Sequence, residues 1–235
     1  MLSPKKFYKM LQEELPSAVD AANYLFRLPT KPDLEIVWDN NPPDFAVQIN
    51  SYIGYWGASR KIHFFPSVFL KVSPSYTKVY KKYIPEFGIE QWAKIAVSHE
   101  VPHAMHDALQ GYDISKDDNS EYGKMIIFGI NEGIAYYGQR HILMRLQEGE
   151  LWLANLKTLL DRAKTLVNSD DPTNRASGIA MLIGCNNLYR FVQEGDDFYR
   201  EFVSKKLERP SQEKIEEEIE LAYSLADKLR DKEIL

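Results

Sequence analysis

Cysteine is almost absent: Cys185 is the single one in 235 residues, so no internal disulfide can form. It lies in the apolar stretch AMLIGCNNLY, which suits a helix and points to a buried, inert thiol rather than a nucleophile. Long apolar runs are missing too. None approaches the roughly 20 residues that cross a bilayer, and the N-terminal MLSPKKFYKMLQEELP has no apolar core of signal-peptide length. The expectation is a soluble, cytoplasmic chain with no membrane partner. A strong charge of either sign is lacking, since the formal net charge is −5. That provides no basic field for nucleic acid and is too mild an acidic excess for a tail or chaperone role. There is no repeat, linker or low-complexity segment.

What is present is apolar material in quantity. At 44% hydrophobic and 12% aromatic residues, the chain can build one sizeable core or two lobes. Ser3 before Pro4 is a good helix start, and one or two short helices are expected over 3–28. Pro29, Pro32 and the run Asn40, Asn41, Pro42, Pro43 break the next stretch. They leave LEIVW (34–38) as a strand, with a second strand expected at 45–50. The runs on either side of Gly57-Ala58-Ser59-Arg60 read as a β-hairpin over 51–65.

Helical signals follow. Helices are expected over 75–83, 89–109, 121–146, 150–167, 172–193, 196–206 and 211–231. Gly111 would cap the second of these, and DISKDDNS would form a polar loop. In the last, Ser211 would be the cap, and Ile215, Ile219, Ala222, Ala226 and Leu229 would share one face. The fold class expected is α+β and mostly helical. A sheet plus active-site helix would occupy about 30–110, and a helical lobe about 111–235.

Chemistry concentrates in His99-Glu100-Val101-Pro102-His103. On a helix, residues four apart lie one turn above the other, so the two imidazoles can converge on one ion. Glu100, one step round, is poorly placed to be a ligand beside them but can reach a water at the metal's open position and take its proton. A catalytic zinc site needs a third protein ligand. His106 shares the face, but three ligands along one straight helix would span about 10 Å and cannot all reach one ion. Glu132 is the better candidate. It sits between Gly129 and Gly133 in an apolar stretch, where missing side chains would let the motif helix come close. His63 and His141 read as ordinary surface or packing residues.

Together, His99-Glu100-Val101-Pro102-His103 and Asn131-Glu132-Gly133-Ile134-Ala135 resemble the gluzincin metallopeptidases, over roughly 50–145. In those enzymes H-E-x-x-H on one helix is completed by a Glu on the next, often within N-E-G-x-A. The resemblance implies a zincin-like fold and zinc held by His99, His103 and Glu132, with Glu100 as general base and proton shuttle. It also implies a peptide or unfolded polypeptide substrate held along a strand edge. A tyrosine often supports the oxyanion in that family, for which Tyr136, Tyr137 and Tyr189 are the candidates here. Asp107 or Asn131 would orient a ligand imidazole. Pro102 departs from the family pattern: it lacks the amide that would bond the Ser98 carbonyl and costs about 3 kcal/mol in a helix interior. A kink at Ser98, a late helix start or a distorted chelate would follow. Two rival readings are a zincin-like binding module without activity and a helical interaction protein without metal.

Overall fold

The computed structural model describes residues 3–110, 121–205, 211, 213, 216–218, 220, 221 and 224. Seven helices and three strands are defined within them, and the architecture is mostly helical with one small mixed sheet. By contact density the chain divides into two compact units. The first comprises 1–109 and 138–158, the second 110–137 and 159–235.

The first unit opens with α1, Pro4–Phe26. Its start is as expected, with Ser3 accepting from the Lys6 amide. It is one helix of 23 residues rather than two short ones, running through Pro16. Phe7, Leu11, Leu15, Ala18, Ala22 and Leu25 are buried along it at helical spacing, and packing of that stripe outweighs the proline's lost hydrogen bond. Arg27 ends it in the left-handed region at φ 53°.

Strand β1, Ile36–Trp38, is followed by a short helix α2, Asp44–Gln48. The strand expected at 45–50 is therefore absent. Asp44 lies in the first turn of that helix and Asn50 takes φ 56° just beyond it. An acidic start and a left-handed Asn at the end are helix punctuation, and they outweigh the short run FAVQIN, which fits either structure. The hairpin forms as expected from β2, Ile53–Trp56, and β3, Lys61–Phe64. Strand order is β1-β3-β2, with β1 parallel and β2 antiparallel to the central β3. β2 is therefore an outer strand.

Helix α3, Pro66–Tyr80, starts nine residues before the expected 75 and runs through Pro74. Its buried Val68, Phe69 and Val72 explain why. The Phe69 ring stacks on Phe7 at 4.4 Å and lies 5.0 Å from Trp92, so tertiary burial overrides a local helix breaker. Trp92 belongs to α4, Ile89–Gln110. Its indole nitrogen donates to the buried Tyr52 hydroxyl at 2.6 Å. α4 continues as helix through Pro102, with no break at Ser98.

Helix α5, Glu121–Arg145, passes from the second unit into the first. Helix α6, Gly149–Val167, runs from the first unit into the second, and within the first its Asn155 joins a buried polar relay. The Tyr80 hydroxyl donates to the Asn155 side-chain oxygen. The Asn155 amide donates to Gln139 at 2.9 Å, and the Gln139 amide donates to the Ile95 carbonyl at 2.8 Å. Each buried polar group is thereby satisfied by another, and α5 is pinned to α4 one turn before the histidine motif.

The second unit is built on α7, Pro172–Ser204, whose Asp171 caps the Asn174 amide. Gly195, at φ 86° and ψ −178°, breaks it into two helical segments, close to the separate helices expected over 172–193 and 196–206. Only glycine enters that backbone region without strain. Tyr137 ties the second segment down, its hydroxyl donating to Asp196 at 2.7 Å. Phe191 and Tyr199 pack around the Tyr137 ring. Gly111, the polar loop at 112–120 and most of the helix expected over 211–231, with Ile215, Ile219, Ala222, Ala226 and Leu229, lie outside the described residues.

Candidate metal centre

His99 and His103 lie on α4 with ring centroids 5.0 Å apart and planes at 84°. Each is partly buried, as is Glu132 on α5. One donor atom from each of His99, His103 and Glu132 falls within 4.8 Å of the others, the one such group among the described residues. Donors about 2 Å from one tetrahedral ion stand roughly 3.3 Å apart, inside the 4.8 Å that bounds this group. Two imidazoles and a carboxylate are a donor set of catalytic zinc. His106, 3% exposed, is not part of the group.

Glu100 is not a member of the group. It is 7% exposed, and its Oε2 accepts the Tyr55 backbone amide at 2.7 Å. Tyr55 stands opposite Ile62 in the β2–β3 ladder, with its amide directed away from β3 and into the carboxylate. The Tyr55 hydroxyl donates to Asp107 Oδ2 at 2.7 Å. Burial, then the hydrogen bond to Asp107, pushes this phenol's pKa well up. Asp107, expected to orient an imidazole, here receives the Tyr55 hydroxyl. Tyr55 is thus clamped to α4 at both its amide and its hydroxyl.

The glycines around Glu132 serve a different neighbour from the one expected. A Cβ at Gly129 would lie 2.8 Å from Ile183, and one at Gly133 would lie 2.6 Å from Asn187 Cβ. On the facing side, a Cβ at Gly184 would lie 2.8 Å from the Tyr136 ring and 3.1 Å from Glu132 Cβ. The helix that approaches these glycines is α7, not the motif helix. Close approach needs no side chain at the contact, and glycine spacing alone cannot say which helix arrives.

Of the three tyrosines, Tyr136 is fully buried and hydrogen-bonded to Glu132. Burial first, and the Glu132 charge second, raise its pKa far above the usual phenol value. Tyr137 is engaged by Asp196. Tyr189 is 56% exposed on α7. Cys185 is buried, and burial followed by the Glu132 charge pushes its thiol up to about 12.

Residues that sequence reading missed are Tyr55, which meets Glu100 across 45 positions of chain, and the Gln139–Asn155 relay. Neither has a local signature. Among the described residues, no helix is long and apolar enough to cross a membrane. No protein-family model, curated protein or solved structure matches the chain.

Proposed function

We propose that the chain is a zinc-dependent peptidase of zincin-like fold, in which His99, His103 and Glu132 hold the ion and Glu100 is the general base. The observation that carries this reading is the convergence of three donor atoms within 4.8 Å, with the carboxylate of Glu100 one residue from the first ligand. The place of β2 at the edge of the sheet, tied to α4 through Tyr55 and Glu100, supports it by setting a strand beside the motif helix. The substrate class is a peptide or unfolded polypeptide.

Zinc held by these residues would supply Lewis acidity at neutral pH. The remaining work falls to the chain's own groups. Glu100 accepts the proton of the attacking water at Oε1 and passes it to the leaving nitrogen. The Tyr55 amide at Oε2 holds the carboxylate in one orientation. Tyr136 orients the Glu132 carboxylate through its hydroxyl. The oxyanion role falls to one of Tyr136, Tyr137 and Tyr189.

One observation favours a second reading. Glu100 is nearly buried and already employed by the Tyr55 amide, as it would be in a zincin-like binding module that holds metal without turnover.

Elemental mass spectrometry of the purified protein tests the site. Expected is about one zinc per chain, lost in both Glu132→Ala and His103→Ala prepared identically. Absence of metal even after added zinc would sink the proposal and favour a helical interaction protein.

A further inference from the structure

A second constellation lies in the first unit, on the hairpin, and the metal centre has no part in it. Ser59 Oγ stands 2.9 Å from His63 Nε2, and His63 Nδ1 stands 2.9 Å from Asp39 Oδ2. Ser59 is in the β2–β3 turn, His63 is on β3, and Asp39 directly follows β1. The parallel pairing of β1 with β3 brings the carboxylate to the imidazole. Serine is exposed, whereas the other two are partly buried.

We propose that Ser59, His63 and Asp39 form a nucleophilic serine site that accepts acyl groups from activated esters. Asp39 offers acceptors only, so with the imidazole neutral it keeps the ring proton on Nδ1 and leaves Nε2 to accept the serine proton, once the hydroxyl turns from the Trp56 carbonyl to which it donates at 3.2 Å. The carboxylate is itself fixed, since its Oδ1 accepts the Asn41 amide at 2.9 Å. That amide first, and the imidazole second, hold the Asp39 pKa below the usual carboxylate value. Asp39 therefore stays ionised and steadies the imidazolium that forms during attack.

The step balances without an added reactant. Ser59 Oγ bonds to the acyl carbon while its proton moves to His63 Nε2. The carbonyl then re-forms, the bond to the leaving aryloxide breaks, and Nε2 returns the proton to that oxygen. Water, deprotonated in turn by His63, releases the acid and restores the serine.

The turn also sets the substrate class. The Ser59 and Arg60 amides are both spent on the Trp56 carbonyl, at 3.2 and 2.8 Å. They are not directed at a developing oxyanion, and missing donors of that kind cost about a hundredfold to a thousandfold in rate. Amides are thus beyond reach, and a good leaving group is required. The Trp56 ring, 5.4 Å from the His63 ring, and Phe65 at 6.3 Å provide an apolar flank. The chemistry favoured is an aryl ester.

The test is labelling of the full chain with an alkyl fluorophosphonate in excess chelator, followed by peptide mass spectrometry. Attack by Ser59 forms an O–P bond and expels fluoride, so the adduct marks the nucleophile. The expected result is one adduct on Ser59, absent in Ser59→Ala, with release of p-nitrophenol from p-nitrophenyl acetate lost in parallel. His63→Gln and Asp39→Asn should slow labelling about a hundredfold while thermal unfolding stays in place. Asp39 acts as a positioning residue, and the split between labelling rate and unfolding separates that role from a structural one. No adduct, an adduct elsewhere, or unchanged labelling in His63→Gln would overturn the proposal. Chelation keeps this result distinct from any activity of the metal centre.

Discussion

The Glu100 carboxylate and the Tyr55 backbone amide are bonded at 2.7 Å, so one side chain joins the motif helix to the outer strand of the sheet. Substitution at this position separates structure from chemistry. Glu100→Gln keeps an oxygen for the Tyr55 amide but cannot take a proton. It should retain bound metal and thermal stability while peptide hydrolysis falls about a hundredfold or more. Glu100→Ala removes the acceptor as well and should cost a further 1–3 kcal/mol, roughly, in denaturant unfolding, because a partly buried amide loses its partner. Full activity in Glu100→Gln would rule the general-base role out and leave the strand anchor as the function of this residue.

Gly133 tests the α5–α7 contact. An alanine Cβ there would lie 2.6 Å from Asn187 Cβ and 2.9 Å from the Gly184 carbonyl, and the second neighbour is backbone that cannot swing away. Gly133→Ala should therefore destabilise by about 1–3 kcal/mol through overpacking, despite alanine's better helix propensity. Urea unfolding checks it. A stabilised variant would mean that the helices do not approach as described.

Cys185 supplies a pH dependence. Its thiol is raised from 9.0 to about 12 by burial and then by Glu132. A group with a raised folded-state pKa contributes stability that is intact below the unfolded value and lost as pH climbs toward the folded one. The protein should thus lose stability between pH 9.0 and about 12, and Cys185→Ala should show a shallower decline over that window. Native protein should also react slowly with a thiol-specific disulfide reagent at pH 8, with reaction rising on unfolding. Rapid modification of the native chain would contradict the buried position.

Much of the fold was legible because helix periodicity is local. The expected 89–109, 121–146 and 150–167 correspond to Ile89–Gln110, Glu121–Arg145 and Gly149–Val167. The hairpin was legible for the same reason, as alternating runs around a turn. Errors cluster where a proline or a short apolar run allows two readings. Local reasoning began a helix at Ser75, whereas α3 starts at Pro66 and runs through Pro74, because Phe69 and Val72 are buried. The run at 45–50 fits strand or helix alike.

The sequence by itself determined that His99 and His103 share a helix face, since four residues make about one turn wherever that helix sits. It also placed Glu132 in an apolar stretch between two glycines. The tertiary structure alone decided that α7 fills those glycines, that Tyr55 occupies one oxygen of Glu100, and that Asp39 and Ser59 meet on His63. Spacing along one helix is set by backbone hydrogen bonds between near neighbours. A partner 45 residues away is chosen by the packing of the whole chain, and no local pattern records it.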